Sequence, residues 1–199
     1  ERSGKDLMKI RKNDIFLYGR KMLFQMLEIL YPRRCAVCDE IEVTGKGICP
    51  LCKDKVHVAG EPACKKCGKP LVDERKEFCT DCGKKHHVYT QGKAVFVYEG
   101  GIRNSMYRFK YGNKREYAEF YANAAVEKYG VWLNKIKAEV LIPIPMYSRK
   151  KRLRGYNQAE VFARELGRKA GILVDEHLVR RVRTVSYTHL RAHETDQYL

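Results

Sequence analysis

All eight cysteines of this chain fall into four CxxC pairs confined to residues 35–82. The pairs are Cys35/Cys38, Cys49/Cys52, Cys64/Cys67 and Cys79/Cys82. Two residues between sulfurs let one tight turn aim both thiolates at a single point, and two such turns build a tetrahedral S₄ cage suited to zinc. Ten residues separate Cys38 from Cys49, and eleven separate Cys67 from Cys79, so the arrangement is nearly repeated. The pattern predicts a double zinc ribbon holding two zinc ions. Sequential pairing would join Cys35, Cys38, Cys49 and Cys52 in one site and Cys64, Cys67, Cys79 and Cys82 in the other. Interleaved pairing, as in cross-braced modules, is the alternative that spacing leaves open.

Other uses of the cysteines fit less well. Structural disulfides need an oxidising compartment. No signal peptide is legible in the first residues, although the start Glu1-Arg2-Ser3-Gly4 carries no methionine and leaves room for an upstream piece. A thioredoxin-like redox motif uses one CxxC beside a βαβ pattern, not four in series. The cytoplasm is therefore the expected compartment.

With 199 residues the chain has room for a medium domain beside a small module, and 44% hydrophobic residues suffice for a core outside the ribbons. The formal net charge is +16, from 40 Lys+Arg against 24 Asp+Glu. Such an excess favours a polyanionic partner, a nucleic acid or a phosphorylated small molecule, although solvated lysines are a common alternative. No apolar run approaches the length of a membrane span. Neither a Walker loop, a nucleophile elbow nor an HExxH motif is present, and Gly45-Lys46-Gly47 lacks the context of a phosphate loop.

Along the chain, Ile15, Tyr18, Met22, Met26, Ile29 and Leu30 recur at helical spacing, which predicts an amphipathic helix over residues 14–30 that packs on the following module. Tyr31-Pro32 ends it. Gly45 and Gly47 permit a reversal within the first ribbon, and Gly68 and Gly83 follow the second cysteine of their pairs, where a small residue lets backbone N–H groups turn towards sulfur. His86 and His87 are expected at the surface, because four cysteines already fill each site. A second region begins near Gly92 with a strand signal, Ala94-Val95-Phe96-Val97-Tyr98. Helices are predicted over residues 102–109 and 115–137. The second of these carries an aromatic stripe expected in the core, and Gly130 is expected to break or end it early. Val140-Leu141-Ile142-Pro143-Ile144-Pro145 reads as a buried strand, residues 146–155 as a basic loop, and residues 156–169 as a helix closed by Gly171. Strand, basic segment and helix in that order favour anion binding by Arg149, Lys150, Lys151, Arg152, Arg154, Gly155, Asn157 and Gln158.

These residues carry a family resemblance. Tyr31-Pro32-Arg33-Arg34-Cys35, the four CxxC pairs, Phe96-Val97-Tyr98, Arg108-Phe109-Lys110-Tyr111-Gly112, Ile142-Pro143-Ile144-Pro145 and Arg154-Gly155-Tyr156-Asn157-Gln158-Ala159 together resemble the ComF family of competence-associated proteins. The resemblance covers about residues 14–184. It implies an α/β fold class: an N-terminal helix and double zinc ribbon followed by a type I phosphoribosyltransferase-like α/β domain. The expected divisions are residues 1–30 (N-terminal segment and helix), 31–88 (double ribbon), 92–184 (a partial phosphoribosyltransferase-like domain) and 185–199 (a non-native tail). The resemblance further implies binding of phosphoribosyl pyrophosphate and single-stranded DNA, and work beside DNA-uptake proteins in natural transformation.

The chain departs from the family after Arg183-Thr184. The Asp-Asp-x-x-Thr-Thr-Gly loop that grips ribose and 5-phosphate in such enzymes does not occur. Val185-Ser186-Tyr187-Thr188-His189-Leu190-Arg191-Ala192-His193 resembles a translated adaptor tail found on unrelated reading frames. The expectation is an incomplete, inactive copy with no catalytic residues assignable. Mg²⁺ is expected only for a complete phosphoribosyltransferase site. The competing reading is a non-catalytic zinc-ribbon adaptor for nucleic acid or protein.

Overall fold

The computed structural model describes Met22, Met26 and residues 30–182. The chain divides into two compact units, Glu1–Asp54 and Lys55–Leu199. The first holds the first pair of CxxC turns and ends in a 3-10 turn, Pro50–Lys55, that buries Cys52. Met22, Met26 and Leu30 are helical, as predicted, but all three are exposed, so the expected packing of that face is not seen at these positions. The rest of the predicted helix lies outside the described residues, as do Arg183, Thr184 and the tail 185–199.

The second unit begins with the second ribbon, which ends in a short helix α1 (Thr80–Lys84). Helix α2 (Gly100–Tyr111) then buries Ile102, Ser105 and Phe109, one residue per turn, and stops at Gly112. Helix α3 (Tyr117–Ile136) supplies most of the core through Tyr117, Ala118, Phe120, Tyr121, Ala122 and Ala125. The expected core role of its aromatic stripe holds here. Phe96 stacks on Phe120 at 5.4 Å, and Phe109 meets Tyr121 at 5.5 Å. Two hydroxyls accompany these rings inside: Ser105 and Tyr121 share a 2.6 Å hydrogen bond, and burial pushes the Tyr121 phenol up to about 12. Gly130 does not end the helix. Helix α3 runs for 20 residues in all and closes at Lys137 in the left-handed conformation, φ 49°.

The strand expected at 94–98 is reduced to a single antiparallel bridge, Phe96 to Val58, flanked by bonds from Ala59 N to Val95 O and Val97 N to His57 O, both 2.9 Å. Helix α3 explains the reduction. Lys128 donates to the carbonyls of Ala59 and Ala94, and Tyr129 donates to Ala94 O at 2.7 Å, so acceptors that would lengthen a ladder are taken by side chains.

Further along, β1 (Val140–Leu141) and β2 (Leu173–Val174) pair in parallel, Val140 with Leu173 and Leu141 with Val174. Between them lie α4 (Ser148–Arg154) and α5 (Gln158–Ala170), so the segment is a small βαβ crossover. Two sequence expectations are corrected here. The apolar run 140–145 is not a buried strand: only two residues pair, Val140, Ile142 and Ile144 are exposed, and Pro143 and Pro145 lack the N–H groups that extension requires. The basic segment is not a loop but helix α4, because Ser-Arg-Lys-Lys-Arg-Leu-Arg is free of Gly, Pro and β-branched residues. Gly155, at φ 82°, ends it. Taken together, the described residues are mostly helical, with far less sheet than the α/β expectation required.

Helix α5 packs along α3 and on β2. Gly167 allows the close approach: a Cβ there would lie 2.5 Å from the Val174 side chain and 2.7 Å from the Ile172 carbonyl. Asn157, only 1% exposed, caps α5 by accepting from Ala159 N at 3.1 Å, while its amide donates to Ile144 O at 3.0 Å. Gly171 closes the helix at φ 69°, as expected. Because so buried a side chain has no ready access to water in place of these partners, Asn157→Ala should cost about 1–3 kcal/mol. Gly130→Ala should instead stabilise by about 0.5–1 kcal/mol, since a Cβ there finds only an ordinary 3.6 Å contact with Val126. Urea unfolding of the two variants beside the parent checks both signs.

Candidate metal centres

The thiols converge in two groups. Cys35, Cys38, Cys49 and Cys52 place their sulfurs within 4.8 Å of one another, and so do Cys64, Cys67, Cys79 and Cys82. Pairing is therefore sequential, not interleaved. Sulfurs bound at about 2.3 Å to one tetrahedral ion stand about 3.8 Å apart. Cys38 and Cys49 are separated by 3.8 Å, and Cys67 and Cys79 by 3.7 Å. All eight thiols are free of disulfides. His86 and His87 belong to neither group.

The same backbone device builds the first turn of each site. Cys35 N donates to Glu40 O and Cys64 N to Lys69 O, both at 2.8 Å. Asp39 N returns to Cys35 O at 2.9 Å, and Gly68 N to Cys64 O at 2.8 Å. The residue after the second cysteine is left-handed in both: Asp39 at φ 69° and Gly68 at φ 76°. Aspartate tolerates that region through its short polar side chain. At Gly68 no side chain fits, because a Cβ would sit 2.7 Å from Ala94 N and 2.9 Å from Lys93 Cα. Gly83 N makes the equivalent return bond to Cys79 O at 2.9 Å, but a Cβ there would meet nothing within 4 Å, so the steric demand is confined to Gly68.

Electrostatics prepares the sites for a cation. Burial alone would raise the Cys35 thiol, but backbone N–H groups of Cys38, Cys49 and Val37 outweigh it and bring it to about 7. Cys64 is brought to about 6 against burial by the N–H groups of Cys67, Cys79 and Lys66. Burial and the crowding of neighbouring thiols push Cys52 and Cys82 up to about 12. Each group thus combines one acidified thiol with others that resist ionising while no positive charge is present. A divalent ion resolves that conflict by stabilising thiolates. Donor chemistry, spacing and N–H support all fit zinc, and the two tetrads make a double zinc ribbon that binds two zinc ions.

Glu42 carries no sequence signal of its role. It is 4% exposed and lies in the loop between the two turns of the first site. Its carboxylate accepts from the N–H and hydroxyl of Thr44 and from Gly47 N at 3.1 Å. Burial raises its carboxyl, yet these donors prevail and hold it below the usual carboxylate range. Gly47 O in turn accepts from Ala36 N at 2.9 Å, inside the Cys35–Cys38 turn. Glu42 therefore supports the cage from outside.

The residues expected to bind anions separate into two kinds. Arg149, Lys150, Lys151 and Arg152 stand exposed along α4, with Gly155 exposed beyond it. Lys151 donates to Glu160 at 2.6 Å, which offsets part of its charge. Arg154 and Gln158 are half-buried and joined at 2.7 Å. Asn157 is turned inward as the cap of α5. Arg115, to which the sequence assigns no site role, donates to Gly155 O at 3.2 Å and lies 4.9 Å from the Tyr156 ring, bracing the turn between α4 and α5.

Metal analysis of the purified chain should return about two zinc ions per molecule, one per S₄ site. Gly68→Ala should lower that value towards one, because the second turn cannot close against residues 92–94. Glu42→Gln removes the charge from three hydrogen bonds at a buried site. It should speed zinc transfer to a chelator from the first site about tenfold, equivalent to about 1.4 kcal/mol. Because the Glu42 carboxyl is depressed in the folded chain, its support is present above the ordinary glutamate range and is lost as pH falls through the lowered value.

No curated protein and no solved structure matches the chain. The likeness to ComF proteins and phosphoribosyltransferases has no counterpart among these comparisons. Residues 26–83, a span that contains both tetrads, match the family model of the double zinc ribbon domain.

Proposed function

We propose that this chain binds single-stranded nucleic acid through its basic C-terminal helices while two zinc ions hold its ribbons in shape. The observation that carries the reading is α4, where Arg149, Lys150, Lys151, Arg152 and Arg154 are gathered on one short helix within the βαβ crossover. The net charge of +16 agrees in sign and size. Phosphates neutralised by such cations release counterions, so binding is driven without base-specific contacts. Within the ComF resemblance, the partner is incoming DNA during natural transformation, and free thiols in all-cysteine sites suit the cytoplasm. No described helix is long and apolar enough to cross a membrane.

The same resemblance proposes a phosphoribosyltransferase-like ancestry for the C-terminal part and phosphoribosyl pyrophosphate as a ligand. Its support is the parallel β1–β2 pair bridged by α4 and α5, with cations following the first strand. In this reading Arg149, Lys150, Arg152 and Gly155 face pyrophosphate, and Mg²⁺ joins only a complete site. The proposal assigns binding and no transfer step to these residues.

Fluorescence anisotropy with a labelled oligothymidylate should show affinity falling with salt, with a log–log slope of about −3 if about four cations engage phosphate. Arg149→Glu with Arg152→Glu should weaken binding at least about tenfold by the same mechanism. Reversal of Lys84 and Lys85, exposed at the end of the second ribbon, should matter less. The opposite ranking moves the interface to the ribbon, and salt-independent binding defeats the reading.

A further inference from the structure

Helix α2 sorts its residues onto two sides. Ile102, Ser105 and Phe109 face the core. Arg103, Tyr107 and Tyr111 follow one another at four-residue spacing, line another side and are exposed. The two tyrosines are 65% and 62% exposed, with ring centroids 5.0 Å apart at 46°. Folding leaves both rings largely in water, so packing within the unit does not account for them. The end of helix α4 reaches this stripe: the Arg154 guanidinium lies 4.7 Å from the Tyr111 ring centroid. Arg154 also donates to Gln158, a neutral partner, so that bond leaves its charge available to a ligand. Two exposed rings, a guanidinium over one of them and the α4 cations are thereby brought together from distant parts of the sequence.

We propose that Tyr107 and Tyr111, with Arg154, form a base-stacking platform at the edge of the α4 cations. The inference rests on the nucleic-acid reading above and names the surface that meets the bases. Every nucleobase has a π face, so tyrosine rings accept bases with little regard to sequence, and an arginine beside them adds charge for the adjoining phosphate. Tyrosine and arginine also serve protein interfaces, so what favours bases here is the run of α4 cations that adjoins the rings through Arg154.

The test separates bases from phosphates. Anisotropy is measured with a labelled oligothymidylate and with an abasic deoxyribose-phosphate chain of equal length. The intact chain should bind the oligothymidylate more tightly. Tyr107→Ala with Tyr111→Ala should weaken oligothymidylate binding about tenfold and leave abasic binding and the salt slope unchanged. Tyr107→Phe with Tyr111→Phe should bind like the parent, because the ring and not the hydroxyl does the stacking. Equal affinity of the intact chain for both probes overturns the platform while leaving the phosphate reading intact, as does an alanine variant that binds both probes like the parent. Binding of neither probe overturns both. Unchanged zinc content and circular dichroism show that the variants fold, which is expected because both rings lie outside the core.

Discussion

Four sulfurs brought to one point impose the central constraint on the ribbons of this protein. Among the described residues around the first site the buried apolar ones are few: Cys35, Ala36, Val37 and Cys52. Ile41, Val43 and Leu51 are exposed, and Val72 in the second ribbon is fully so. Segments this poor in core cannot offset the entropy of ordering their loops by burial. Metal ligation supplies what burial lacks, and the backbone bonds within each CxxC turn hold sulfurs where one ion can reach four of them.

The second ribbon has an additional anchor. Its turn at Gly68 lies directly against the backbone of residues 92–94, and the next stretch bridges back to Val58. Lys128 and Tyr129 on α3 take the carbonyls of Ala59 and Ala94. The ribbon is thereby tied to the helix that carries the aromatic core, and both belong to one compact unit, Lys55–Leu199. The first site is braced from within its own loop, where Glu42 gathers the donors of Thr44 and Gly47.

Elsewhere in the same unit the packing of α5 governs the basic surface. Gly167 brings α5 against β2, Asn157 caps it, and Tyr156 donates to the Phe109 carbonyl near the end of α2. These contacts fix where α4 ends, and therefore where Arg154 lies relative to Tyr111. A stretch of charge that would otherwise be a solvated turn becomes one wall of a mixed basic and aromatic surface.

Local pattern made much of this legible. CxxC spacing encodes the geometry of one turn, so the ligands are evident from residues 35–82 alone. The period of Ile102, Phe109, Phe120 and Tyr121 encodes buried helical faces, and Gly171 encodes a helix end. Other features depend on partners distant in sequence. Which CxxC turns share an ion is decided by the path of the chain between them. Gly130 lies within α3 directly after Lys128 and Tyr129, whose bonds to the Ala59 and Ala94 carbonyls tie that stretch of helix down and occupy acceptors beside the shortened bridge at 94–98. Asn157 looks like a ligand group in sequence but is buried as a cap. The sequence by itself determined the metal chemistry, the charge and the helical faces, because each is set by residues within a few positions of one another. Only the tertiary structure decided the ligand pairing, the shortened strands and the meeting of Tyr111 with Arg154, because each depends on which distant segments win the same hydrogen bonds and the same space.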